Sequence, residues 1–173
     1  GTVADYGGRR SAEASGALVT AVVPESPADD LGIEPGMRIV TVNGHALTDM
    51  IVWLWETDGL EAELEVYDPR DNTTVAAVIE RFPGEEWGVD FDGAVFDGMR
   101  TCVNACIFCF MNMLPKESRD SLSIRDDDYR LSFLQGNFVT LTNMSDAEIE
   151  DAIEKMLSPM NVSLHAITPE CRR

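Results

Sequence analysis

The sequence predicts a mixed α+β and α/β chain in two unlike parts: a small β-rich domain over residues 17–91, then a parallel strand, helix, strand layout over residues 92–173. Three observations carry this reading. From Ala17 onward, short β-branched runs are punctuated by Gly, Pro and Asn-Gly signals at the spacing of hairpins. After Ala94 the order changes to strand-like, capped helix, strand-like, which implies a parallel crossover. Between the two patterns lies a cluster of cysteines.

Residues 1–16 are small, polar and glycine-rich, with no apolar period, and read as a linker or frayed terminus. Ala17–Val23 is the first strand. The stretch PESPADDLGIEPG then provides a short helix, with Gly32 and Gly36 ending it and turning the chain back. Arg38–Val42 resumes strand character before Asn43-Gly44, a pair suited to the left-handed conformations of a type I′ turn. Ile51–Glu56 is ambiguous between helix and strand. Ala62–Tyr67 alternates as a strand does, and Thr73–Phe82 is its hairpin partner across PRDN.

In the second part, Ala94–Met99 is read as a strand leading into the cysteines, Phe138–Thr142 as a second and Val162–His165 as a third. Between the last two, Ser145 with Glu148 three residues on forms a capping box. Ile149, Ile153, Met156 and Leu157 make one apolar stripe until Pro159 stops the helix. Asp126-Asp127-Asp128 is read as a solvated acidic turn, with Asp126 capping the next segment, in preference to a magnesium site. His45 is expected to be exposed, and Met111 and Met113 to be packing residues beside the cysteine loop.

Three of the four cysteines, Cys102, Cys106 and Cys109, fall within eight positions. That is poor spacing for a disulfide framework and good spacing for a metal or cluster site in a reducing compartment, so a cytoplasmic protein is expected. Soft thiolates suit both an iron-sulfur cluster and zinc, and softness alone does not choose between them. In the zinc alternative, His165 or Cys171 completes a tetrahedral set and the chain is a non-catalytic adaptor. In the cluster alternative, three thiolates on a four-iron cluster leave one iron without a protein ligand.

The charge balance excludes other classes. With 13 Lys and Arg against 31 Asp and Glu, the net charge is -18, which repels phosphate backbones and anionic lipid. No nucleic-acid partner is expected. The most apolar run, Ala105–Leu114, falls far short of the roughly 20 residues that span a bilayer, so no membrane partner is expected either.

The stretch VVPESPADDLGIEPGMRIVTVNG resembles the signature of bacterial PDZ domains: the proline, the SPA helix start, the GI-PG turn and the VNG turn occur in order. The resemblance implies docking of a peptide C-terminus by strand addition, its carboxylate captured by backbone amides of a glycine-containing loop. Trp87-Gly88-Val89-Asp90-Phe91 is the candidate loop. The plainer reading makes it a strand with Trp87 and Phe91 as core.

The cysteine spacing, with Phe108 just before Cys109, resembles the radical S-adenosylmethionine (radical SAM) superfamily. The longer stretches CVNACIFCFMNMLPKESRDSLSIRDDDYRLSFLQGNFVTLTNM and LSPMNVSLHAITPECRR are similar to an uncharacterised family of iron-sulfur oxidoreductases with an N-terminal PDZ-like domain. The resemblance implies a [4Fe-4S] cluster on Cys102, Cys106 and Cys109, S-adenosylmethionine on its open iron, an electron from a reductant such as flavodoxin or ferredoxin, and a deoxyadenosyl radical acting on an unknown substrate. Phe108 lies against the adenine by this carry-over. Thr142 and Asn143 stand where the superfamily contacts the methionine amino group, although the usual Gly-Gly-Glu is absent. Ser163 and His165, on alternate strand positions, share a face toward the barrel interior. The implied fold of residues 92–173 is the first part of a parallel βα partial barrel. A complete barrel needs roughly 200 residues or more. The chain is therefore expected to be part of a longer enzyme, binding a cluster by itself without turning over substrate.

Overall fold

The computed structural model of the protein describes residues 15–115, 124–165 and 167–168. The linker expected over residues 1–16 falls almost wholly outside the described residues, as does Cys171 of the zinc alternative. The chain divides into two compact units between Asp97 and Gly98, together a mixed α+β structure.

In the first unit, β1 (Ala17–Val22) leads to α1 (Pro27–Asp30). Ser26 caps α1 with its hydroxyl, which accepts from the Asp29 N–H at 3.3 Å, and Pro27 supplies the fixed φ of a first helical residue. Then β2 (Arg38–Val42) and β3 (His45–Ala46) form a hairpin around Asn43-Gly44. Both turn residues are left-handed, with φ of 49° and 79°, as a type I′ turn requires. The ambiguous segment is a helix, α2 (Met50–Glu56), because Asp49 Oδ1 accepts from the N–H groups of Ile51 and Val52 at 2.9 and 3.0 Å. The long hairpin of β4 (Glu61–Asp68) and β5 (Thr73–Glu80) comes next. The strand β6 (Val89–Phe91) pairs antiparallel with β1, so the described sheet runs β5-β4-β2-β1-β6 with β3 beside β2. The plainer reading of Trp87–Phe91 therefore describes the structure. Trp87 is buried, and the ring of Phe91 lies 5.0 Å from Trp53 and 5.4 Å from Phe96.

Arg81 fastens this region. Its guanidinium lies 4.3 Å above the Trp87 ring and donates to the carbonyls of Thr57, Asp58, Gly59 and Glu85, while Trp87 Nε1 donates to Thr57 O at 3.2 Å. The strand expected over Ala94–Met99 is not formed. Val95 makes only an isolated antiparallel bridge to Asp49, Met50 N donates to Ala94 O at 2.9 Å, and Phe96 N donates to Thr48 O at 2.8 Å. The apolar character that suggests a strand comes largely from Phe96, which is spent on the first unit's core.

In the second unit the cysteine loop runs into a 3-10 turn at Phe110–Met113. After it come α3 (Tyr129–Gln135), β7 (Phe138–Val139), α4 (Asp146–Glu154) and β8 (Asn161–Val162). The strands β7 and β8 are parallel, pairing Phe138 with Asn161 and Val139 with Val162, and α4 crosses between them. The expected capping box is present: Ser145 accepts from Glu148 N, and the Glu148 carboxylate accepts from Ser145 N at 2.8 Å. Both strands are shorter than Phe138–Thr142 and Val162–His165. The Thr140 N–H is taken by Asp127 Oδ1 at 2.6 Å, and Leu141 then turns the chain with φ of 60°. Two paired strands are what the described residues of this unit contain, so a partial barrel is not shown.

Two other expectations fail here. The apolar stripe does not stay on one helix: α4 ends at Glu154, well before Pro159, and Met156 turns the chain with φ of 51°, so Ile153 and Met156 are 70% and 77% accessible while Ala152 and Leu157 are buried. Asp127 and Asp128 are 2% and 0% exposed, so the acidic run is not a solvated turn. Asp128, not Asp126, caps the next helix, accepting from Arg130 N, and it also pairs with the Arg130 guanidinium at 2.7 Å. The sequence hides that helix, α3, because its cap sits inside what looks like a charge run. No described helix is long and apolar enough to cross a membrane.

Candidate functional site

The site is built on the segment that enters the cysteine loop. Residues 100–102 are pinned to residues 125–127 by a short antiparallel clip. Thr101 bridges Asp126, Cys102 N donates to Arg125 O at 2.8 Å, and Asp127 N donates to Arg100 O at 3.0 Å. Arg100 is itself held, its guanidinium paired with the Glu148 carboxylate and lying 5.7 Å from the Tyr129 ring centroid. Cys102 thus leaves an anchored strand-like segment, and the loop beyond it is irregular. Cys106 O accepts from Cys109 N at 3.1 Å and Cys109 O accepts from Asn112 N at 2.9 Å, which curls the chain through the second and third cysteines.

Cys102, Cys106 and Cys109 are free thiols, each partly exposed. Among the described residues, no three His, Cys, Asp or Glu side chains are gathered closely enough to hold a metal ion. The donor chemistry fits a soft metal or cluster: three thiols on eight residues, at an open surface, on backbone with few internal hydrogen bonds to break. The thiols are not convergent, so ligation calls for the loop to close around its guest.

The other expected site residues fall around this loop. Phe108 is exposed, and its ring centroid lies 5.4 Å from that of His165. The imidazole therefore packs beside the aromatic residue of the cysteine motif. Ser163 sits just past β8, half-buried, with its N–H donating to Val139 O at 2.8 Å. Thr142 Oγ1 receives a hydrogen bond from Asn104 Nδ2 at 2.7 Å. Asn143 Nδ2 donates to Asp127 O at 3.0 Å and Thr101 O at 3.3 Å, tying the segment after β7 to the clip, while its Oδ1 is buried with no hydrogen-bond partner. A buried acceptor without a donor is costly, of the order of 1–3 kcal/mol.

Met113 is exposed and is not the packing residue expected. His45 is exposed as expected, with Nδ1 3.2 Å from Glu56. The residues that sequence reasoning misses are Asn104, Asp127 and Thr140. Asn104 is visible as the one polar side chain between the first two cysteines. The acidic run hides Asp127 by suggesting solvent.

Residues 81–173, more than half of the chain, match the family model described as a radical SAM-like domain, and residues 18–54 match that of a PDZ domain. The first match begins inside the first unit, so β6, Trp87 and Phe96 belong to the matched stretch. No curated protein matches the chain.

Proposed function

The chain belongs to the radical SAM-like domain family, and from that premise we propose that Cys102, Cys106 and Cys109 hold a [4Fe-4S] cluster whose remaining iron binds S-adenosylmethionine. The observation that carries this is the loop itself: three free, accessible thiols on one curled segment that starts from an anchored residue. When bound, the pair supplies reductive cleavage of the sulfonium to a deoxyadenosyl radical, with the electron coming from a low-potential protein donor.

The chain's own residues bind and orient. Asn143 offers a buried, unpartnered Oδ1 as acceptor for the methionine ammonium. Phe108 offers its ring to the adenine, with His165 packed beside it. Both contacts favour one pose of the ligand. The first unit is proposed to dock an extended peptide C-terminus, or a segment of the same polypeptide, along β6 at the edge of its sheet. What the cofactors act on is an unknown substrate.

Anaerobic reconstitution with iron and sulfide tests the site. About four irons and four sulfides per chain are expected for a cluster of this type. Equal loading of a variant with all three cysteines changed to alanine would refute it.

A further inference from the structure

The side chain of Asn104 sits at a junction. Its Nδ2 is 3.4 Å from Cys102 Sγ, 2.7 Å from Thr142 Oγ1 and 3.3 Å from Thr140 Oγ1. Thr140 and Thr142 hydroxyls are 2.8 Å apart, and Thr140 Oγ1 is 2.6 Å from Asp127 Oδ2. Asp127 is buried, and its other oxygen accepts the Thr140 N–H.

The direction of this chain of bonds is set at its end. A carboxylate only accepts, so the Thr140 hydroxyl donates to Asp127. With that proton committed, the bond between the two threonines is donated by Thr142. Thr142 Oγ1 is then left to accept, and only the nitrogen of the Asn104 amide can serve it. The amide nitrogen therefore faces inward, and its second N–H has two acceptors in reach, Cys102 Sγ at 3.4 Å and Thr140 Oγ1 at 3.3 Å. Thr140 Oγ1 already accepts from Thr142, which leaves the sulfur as the acceptor without another donor in this cluster. A buried acid three hydrogen bonds away thus fixes which end of Asn104 the first cysteine meets, and each bond polarises the next.

Resting on the cluster reading above, we propose that Asn104 is a positioning residue that donates a hydrogen bond to the Cys102 ligand sulfur and thereby raises the reduction potential of the cluster. Reduction places added negative charge on iron and sulfur. An N–H aimed at a ligand sulfur stabilises that charge, and such bonds are among the determinants of cluster potential. Asp127, Thr140 and Thr142 act through Asn104, not on the cluster directly.

The test is an anaerobic redox titration of the reconstituted protein, following the reduced cluster by electron paramagnetic resonance, with iron content measured on each sample. Asn104→Leu keeps the approximate volume and removes the donor. Its potential is expected to shift to a more negative value with iron content unchanged. Thr142→Val leaves the cysteine loop intact and releases the amide from its fixed orientation, so a smaller shift in the same direction is expected. An Asn104→Leu potential equal to that of the unaltered protein, with iron retained, overturns the inference while leaving the cluster reading standing. Should Asn104→Leu take up no iron, an unchanged potential in Thr142→Val overturns it equally. No iron in the unaltered protein removes the cluster reading itself.

Discussion

The aromatic ring of Phe108 and the imidazole of His165 lie 5.4 Å apart at an interplanar angle of 59°, although 57 positions separate them in the chain. One stands on the cysteine loop and the other just past β8, so the parallel crossover brings the C-terminal end of its second strand beside the loop.

Stacking of a base on an aromatic side chain contributes about 1–3 kcal/mol. Phe108→Ala is accordingly expected to weaken S-adenosylmethionine binding by about fivefold or more, since about 1 kcal/mol is a factor of roughly five. Iron content should not change. Titration of the reduced cluster's resonance spectrum with the ligand reads both. A loss of iron with unaltered ligand affinity would assign Phe108 to the loop's structure instead.

Asn143→Leu removes the orphaned acceptor together with the donations to Asp127 O and Thr101 O. Asn143→Asp keeps an acceptor at Oδ1. It loses the same two donations as the leucine variant, so if that acceptor meets an ammonium group, the leucine variant loses about tenfold more ligand affinity than the aspartate variant, as expected for about 1.4 kcal/mol. Equal losses in both would place the importance of Asn143 in its amide donors.

Gly88→Ala tests the packing of the first unit. Gly88 has φ of 76°, and a Cβ there would lie 2.2 Å from the Cβ and Oγ of Ser26, the cap of α1. The left-handed backbone and the overlap together are expected to cost roughly 2–4 kcal/mol. Thermal unfolding measured by circular dichroism is the check, and an unchanged midpoint would contradict the contact.

Asp128 gives a pH dependence with a definite sign. Burial pushes its carboxyl upward, but hydrogen bonds from the Arg130 side chain and the Arg100 N–H outweigh burial and hold it below the ordinary carboxylate range. A depressed folded value means the stabilisation is present above the unfolded carboxylate range and is lost as pH falls through the folded value. Asp128→Asn is expected to destabilise by roughly 3–5 kcal/mol at neutral pH, by breaking a buried pair. The gap to the unaltered protein should narrow in acid. A constant gap from neutral pH down to strongly acid conditions would contradict the pairing.

The features legible in the sequence are those that local chemistry decides. The Asn43-Gly44 turn, the start of α1 at Pro27 and the Ser145/Glu148 box each depend on residues within four positions of one another, and each is present. The strand expected over Ala94–Met99 does not form because Phe96 is claimed by Phe91 and the first unit's core, a partner that no local pattern names. The acidic run misleads for a similar reason. Asp127 is buried because Thr140, 13 positions on, satisfies both its oxygens, and Asp128 because Arg130 turns back onto it. The cysteines are visible as a motif, whereas Asn104 becomes meaningful only when the fold brings Thr140 and Thr142, 36 and 38 positions away, against it.

The most direct test of the open-iron site is electron paramagnetic resonance of the reduced, reconstituted protein before and after S-adenosylmethionine is added. A spectrum of a [4Fe-4S] cluster that changes on addition, and is absent when Cys102, Cys106 or Cys109 is replaced by alanine, is the expected result. A cluster spectrum indifferent to the ligand, or a metal content of zinc with no iron, would contradict it.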